Sequence, residues 1–168
     1  MSSTPKADRK KVRHFAAIRP LSSAGSVPAY HAHDEVANHE LGTVNGYLIE
    51  HVAGDSVVRV YWTGDTVWFD ELGKVAETLP GVDLLLPHLG GVGSDGGPWG
   101  LISLDAVEGT RVVAVINPDT VIPMHHSTFP FYVEPVPEFA RRLGASAYRG
   151  ELVILDEGEN WTADGRRS

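Results

Sequence analysis

Two short apolar runs end on residues of the kind that bind metals. Val60-Tyr61-Trp62-Thr63-Gly64 runs into Asp65, and Val121-Ile122-Pro123-Met124 runs into His125. β-branched and aromatic residues favour strands. Two such strands stopping at an acid and an imidazole constrain the fold, because the open ends of strands are where α/β sheets place their chemistry. A third segment, Pro28-Ala29-Tyr30-His31, approaches a further imidazole in the same way.

The rest of the chain supplies elements for one α/β sheet. Residues 24–30 are expected as a strand, and 31–42 as a polar loop ending at Gly42. Residues 44–50 and 56–63 form a hairpin around Gly54-Asp55. Asp70 is expected to cap a helix over 71–79, stopped by Pro80-Gly81. A buried strand follows over 82–87. Residues 90–100 hold six glycines and Pro98, and read as a loop.

Ser103 is expected to cap a helix over 104–115, with Gly109 as its weak point. Residues 120–124 form another buried strand. Pro137 opens a helix over 137–144, and 152–156 is the last strand. The order predicts one mixed sheet with helices on one face. Three helices leave the second face in need of a cover, and a second copy of the chain packing face to face as a homodimer is one way to supply it.

With 168 residues and 42% hydrophobic residues, a single packed domain over 21–160 is expected, between a disordered segment 1–20 and a tail 161–168. A net charge of −8 disfavours nucleic acid and anionic membranes. No apolar run reaches the roughly 20 residues that span a bilayer. The polar, basic start has no apolar signal stretch, so a cytoplasmic protein is expected. The chain has no cysteine, so any metal must be held by imidazole and carboxylate.

Several segments together resemble the metallo-β-lactamase-fold hydrolases. They are Pro28-Ala29-Tyr30-His31, Gly46-Tyr47, Thr63-Gly64-Asp65-Thr66, Asp83-Leu84-Leu85-Leu86-Pro87 and Pro123-Met124-His125-His126-Ser127-Thr128-Phe129. Their order is similar to the second half of that fold, nearest to a branch with a sugar-phosphate lactonase and a phospholipase of the D type. The resemblance implies half of a four-layer αββα sandwich. It implies a metal-dependent hydrolase of a small ester, lactone or phosphodiester, with a two-zinc site in the complete fold; manganese or iron would suit the same donors. It makes His31 a ligand of one ion, His125 a ligand of the other, and Asp65 the bridge.

The first-half signature His-x-His-x-Asp-His is absent. His31-Ala32-His33-Asp34-Glu35 imitates it, with the Asp one residue too early. The chain therefore reads as a truncated hydrolase, weak or inactive alone, or as a half-domain that assembles with a partner.

The remaining candidates have plainer readings beside the functional ones. His88, after the strand ending at Pro87, is a catalytic candidate as proton donor, with a structural role as the alternative. His126 is read as a neighbour facing away. His33 and His39 are read as solvated, and Asp83 and Asp105 as turn and helix-start residues. Trp62, Trp68 and Trp99 are read as packing, with pocket lining the alternative.

Overall fold

The computed structural model describes residues 23–53 and 55–162. The expected segment 1–20, most of the expected tail and Gly54 of the expected turn lie outside the described residues. The elements are β1 (Ser23–Pro28), α1 (Glu35–Leu41), β2 (Asn45–Ala53), β3 (Ser56–Trp62), α2 (Asp70–Thr78), β4 (Leu84–Leu86), α3 (Ala106–Ile116), β5 (Thr120–Val121), α4 (Val136–Gly144) and β6 (Glu151–Leu152). No helix among them is long and apolar enough to cross a membrane.

The strands make one sheet in the order β1-β2-β3-β4-β5-β6. β1, β2 and β3 pair antiparallel, and β3 to β6 pair parallel. The single mixed α/β sheet matches the expectation. The order follows from the connections: β2 passes directly into its antiparallel neighbour β3, β1 reaches β2 through α1, and each parallel step needs a crossover, here through α2, α3 and α4.

Residues paired across strands share a face of the sheet. Leu48, Tyr61, Leu85, Val121 and Leu152 stand in one row by this register. They pack with Leu72 of α2, Val112 and Val113 of α3, and Phe139 and Leu143 of α4. Full burial of a side chain such as Leu85 contributes roughly 1.5–3 kcal/mol. These three helices therefore lie on one face.

The other face carries Tyr47, Ile49, Val58, Val60, Trp62 and Leu84, all exposed or half-buried among the described residues. Tyr47 and Trp62 stack there at 5.9 Å between ring centroids.

The elements depart from the sequence expectations in four places. Residues 31–42, expected as a loop, contain α1. Asp34 caps that helix by accepting the Ala37 N–H at 2.8 Å, and Gly42 ends it at φ 87°. These local start and stop signals outweigh the polar composition that suggested a loop. The second departure is at α2, where Asp70 is the first helical residue and Phe69 stands at the cap without a side-chain bond.

The third is at α3, which starts at Ala106, with Asp105 as cap accepting from the Glu108 N–H at 2.8 Å. The Ser103 hydroxyl instead accepts from the Val92 N–H at 3.0 Å. Lastly, the ladders of β4, β5 and β6 are shorter than the extended runs around them. Beyond Val121 the chain still bonds, Ile122 N–H to Leu85 carbonyl and Met124 N–H to Pro87 carbonyl, both at 2.9 Å. Pro123 and Pro87 have no N–H to continue a regular ladder.

Candidate metal centre

The site lies where β3, β4 and β5 give out, beside the residues that follow β1. Gly64 makes the exit from β3. Its φ is 63°, and a Cβ there would stand 2.4 Å from the Asn45 carbonyl oxygen, so only glycine fits. This tight turn sets Asp65 beyond the end of the strand.

The segment after Asp65 is tied to the end of β1. The Tyr30 N–H donates to the Thr66 hydroxyl at 3.1 Å, and the Val67 N–H donates to the Tyr30 carbonyl at 2.8 Å. His31 is thereby held beside Asp65, with Nε2 at 3.8 Å from Oδ2. Its backbone N–H is fixed by the Asn38 side chain at 2.8 Å, so α1 serves to place this residue. His31 Nδ1 is buried and has no hydrogen-bond partner among the described residues.

His88 follows β4, and its backbone N–H donates to the Thr63 hydroxyl at 3.0 Å. Its Nδ1 lies 2.7 Å from Asp65 Oδ1. On its other side the Trp62 indole N–H donates to Nε2. An indole is a donor only, so Nε2 must accept and Nδ1 must carry the proton. The chain of bonds runs Trp62 to His88 to Asp65. Both ring nitrogens of His88 are engaged, which makes His88 the group that orients the carboxylate.

His125 has φ 58°, a left-handed conformation that a histidine adopts at a cost. Its Nδ1 lies 3.1 Å from the Leu89 carbonyl, to which it donates, and its Nε2 lies 3.4 Å from Asp65 Oδ1. Fixing one imidazole nitrogen on a carbonyl so that the other is free is how metal-binding histidines are commonly held. The His88 and His125 rings lie parallel, 5.0 Å apart, and the Tyr132 ring leans on His125 at 4.7 Å.

Asp65 thus presents Oδ1 toward His125 and Oδ2 toward His31. The His88 hydrogen bond is the largest influence holding its carboxyl below the ordinary range; burial opposes it, and His125, His88 and His31 add to it. Donor atoms of Asp65, His88 and His125 all fall within 4.8 Å of one another.

With both nitrogens of His88 engaged, the donors that fit a metal are His31, Asp65 and His125. Bonds of about 2.0–2.1 Å to a tetrahedral zinc place neighbouring donors about 3.3–3.4 Å apart. The 3.4 Å between His125 Nε2 and Asp65 Oδ1 matches that spacing, and the 3.8 Å between His31 Nε2 and Oδ2 needs only a small closure.

Three further histidines stand elsewhere. His126 lines a separate cleft with Pro135, Pro137 and Ile154, and burial lowers its basicity. His33 pairs with Glu108 at 2.6 Å, and His39 sits in the last turn of α1. Asp83 accepts from the Arg59 N–H of β3 at 2.7 Å, a tie between neighbouring strands where a turn role was expected.

Sequence reasoning missed the indole donor of Trp62, the Leu89 carbonyl and Tyr132. The closeness of Trp62 to Asp65 in the chain was the only signal for the first, and none marked the other two.

No known family profile matches the sequence. A UPF0173 metal-dependent hydrolase of Thermococcus onnurineus is 30% identical over 133 residues, 79% of this chain and 52% of that protein. The metallo hydrolase Igni18 of Ignicoccus hospitalis superposes with TM-score 0.60 at 22% identity, over 86% of this chain and 57% of that one. The metallo-β-lactamase-fold protein YhfI of Bacillus subtilis superposes with TM-score 0.51 at 18% identity, over 83% of this chain and 49% of that one.

The chain has the fold of these metallo hydrolases, and its sequence is similar to the UPF0173 metal-dependent hydrolases. It spans about half the length of the curated relatives it matches. The site described above lies on one sheet with one helical layer.

Proposed function

We propose that this chain carries one half of the metal centre of a metal-dependent hydrolase, acting on a small ester, lactone or phosphodiester. The observation that carries the reading is Asp65 standing between two imidazoles, one oxygen toward His31 and the other toward His125. A carboxylate set in that way suits a bridge between two zinc ions, which lie about 3.5–4 Å apart in such sites. Manganese or iron would accept the same donors.

Zinc bound there would supply Lewis acidity, polarising a carbonyl or phosphoryl oxygen and easing the ionisation of water. The chain's own residues do the positioning. His88 fixes the rotation of the Asp65 carboxylate, the Leu89 carbonyl fixes the His125 ring, and Gly64 fixes the approach of β3. Three donors shared by two ions leave each shell short, so companion donors outside the half-domain 21–160 complete them, and the half alone binds metal weakly.

Calorimetric titration with zinc tests this. The expected result is weak binding by the chain that Asp65→Ala abolishes and His126→Ala leaves in place. A stoichiometric site tighter than about 1 μM on the chain alone would overturn the shared-site reading, and zinc binding indifferent to Asp65→Ala would overturn the metal assignment.

A second reading is favoured by the open sheet face bearing Tyr47 and Trp62: two copies of the chain pack those faces together. Sedimentation equilibrium decides it. A dimer dispersed by Trp62→Lys supports the reading, and a monomer at all concentrations refutes it.

A further inference from the structure

A cleft of about 390 Å³ opens between two loops next to the site, walled by Val92, Pro98, Trp99, Ile102, Phe131 and Tyr132. The loop over 90–102 leaves the β4 end just after His88, and the loop over 126–133 leaves directly after His125. A pocket between them is therefore fixed relative to Asp65 by the same strands that place the site.

The pocket is pre-formed. The Ile102 N–H donates to the Val92 carbonyl at 2.9 Å and closes the first loop on itself. Gly93 is required there, since a Cβ would stand 1.8 Å from the Gly100 oxygen. The Val133 N–H donates to the Gly90 carbonyl at 2.9 Å and joins the two loops. The Glu134 carboxylate accepts from the Ala106 N–H at the start of α3 and anchors the second loop.

The walls are aromatic and open to solvent. Trp99 is 47% and Phe131 55% exposed, although such side chains are usually buried. Tyr132 joins the pocket to the site: one side lines the cleft, and its ring rests on His125 at 4.7 Å.

Asp95 is the one charged side chain among the lining residues. A carboxylate repels anions and contributes nothing toward binding phosphate. The size matches a small-molecule pocket, which commonly spans about 300–1,000 Å³ with mainly apolar walls.

We propose that this cleft binds the aromatic group of a neutral ester or lactone whose carbonyl lies at Asp65 and His125. The inference rests on the hydrolase reading for the carbonyl's position, and on the cleft alone for the aromatic group. It selects among the substrates of that reading, favouring neutral esters over phosphodiesters. In the reaction, water adds to the carbonyl carbon and the acyl C–O bond breaks. An ester yields a carboxylic acid, which gives up its proton, and an alcohol; a lactone yields a single hydroxy acid that gives up the same proton.

The test uses the full chain and two probes with the same ring system: N-(2-naphthyl)acetamide, a neutral stand-in for the ester, and 2-naphthyl phosphate. Binding is read from ¹H–¹⁵N spectra of wild type, Phe131→Ala and Trp99→Ala; both side chains are exposed, so the fold should tolerate their loss. The amide probe is expected to shift the Trp99 indole and the amides of 91–102 and 130–133. Each variant should weaken it about tenfold, and the phosphate should bind at least about tenfold more weakly.

Shifts confined to the open sheet face around Tyr47, unchanged binding in both variants, or equal binding of the phosphate would each overturn the proposal. Zinc titration of the same samples separates the two readings. Lost zinc binding with the cleft intact removes the link to hydrolysis, whereas intact zinc binding with an unresponsive cleft removes the cleft.

Discussion

Gly109→Ala tests whether the helical layer holds the site in place. Gly109 lies inside α3, where glycine normally costs about 1 kcal/mol relative to alanine. On an exposed helix the substitution would therefore stabilise by that amount. Here the added Cβ would meet Leu89 Cδ2 at 2.8 Å and the Phe139 ring at 3.1 Å. Leu89 is 3% and Phe139 1% exposed, so neither side chain can swing into solvent. Overpacking a filled core costs about 1–3 kcal/mol.

The net effect is a loss of up to about 2 kcal/mol, which lowers the melting temperature by roughly 2–4 °C per kcal/mol for a chain of this size. The strain also reaches the metal centre, because the Leu89 carbonyl accepts from His125 Nδ1 at 3.1 Å. Urea denaturation with an unchanged m-value is the assay. Leu89→Ala placed with Gly109→Ala should be less damaging than the sum of the two single changes. A Gly109→Ala chain about 1 kcal/mol more stable than wild type would refute the reasoning.

Three other perturbations have defined outcomes. Trp62→Phe keeps an aromatic ring but removes the donor to His88 Nε2; nitrogen NMR should show the Nδ1–H tautomer of His88 in wild type and a mixture of tautomers in the variant, and identical spectra would exclude the relay. Gly64→Ala places a Cβ 2.4 Å from the Asn45 oxygen at φ 63°, so a loss above about 2 kcal/mol is expected in thermal melts; a neutral result would contradict the required turn. Asp65 has its carboxyl held below the ordinary value, so the folded state favours the charged form. Its contribution is then present above about pH 4, the unfolded value, and is lost as pH falls through the lower folded value. The stability of wild type over Asp65→Asn should shrink on acidification below that point, and a growing difference would reverse the sign of the argument.

Local chemistry made much of this protein legible in its sequence. Val57 to Trp62 reads as a strand because branched and aromatic side chains suit a pleated surface. Gly64 and Pro123 punctuate two strand ends, which is why Asp65, His125 and, by the same pattern, His31 stood out. Helix α1 escaped notice because six ionisable residues crowd 31–42, although the cap at Asp34 was there to be seen. The parallel strands looked longer than their ladders because apolar runs report burial, and burial continues past the last ladder bond.

The sequence by itself determined the elements, their order and the residues standing at the strand ends, since these depend on interactions over a few positions. Tertiary structure alone decided what those residues meet. Trp62 and His88 are 26 positions apart, and His125 and Leu89 are 36 apart. Such contacts exist because neighbouring strands end side by side, and a linear pattern has no information on which ring nitrogen then faces which oxygen.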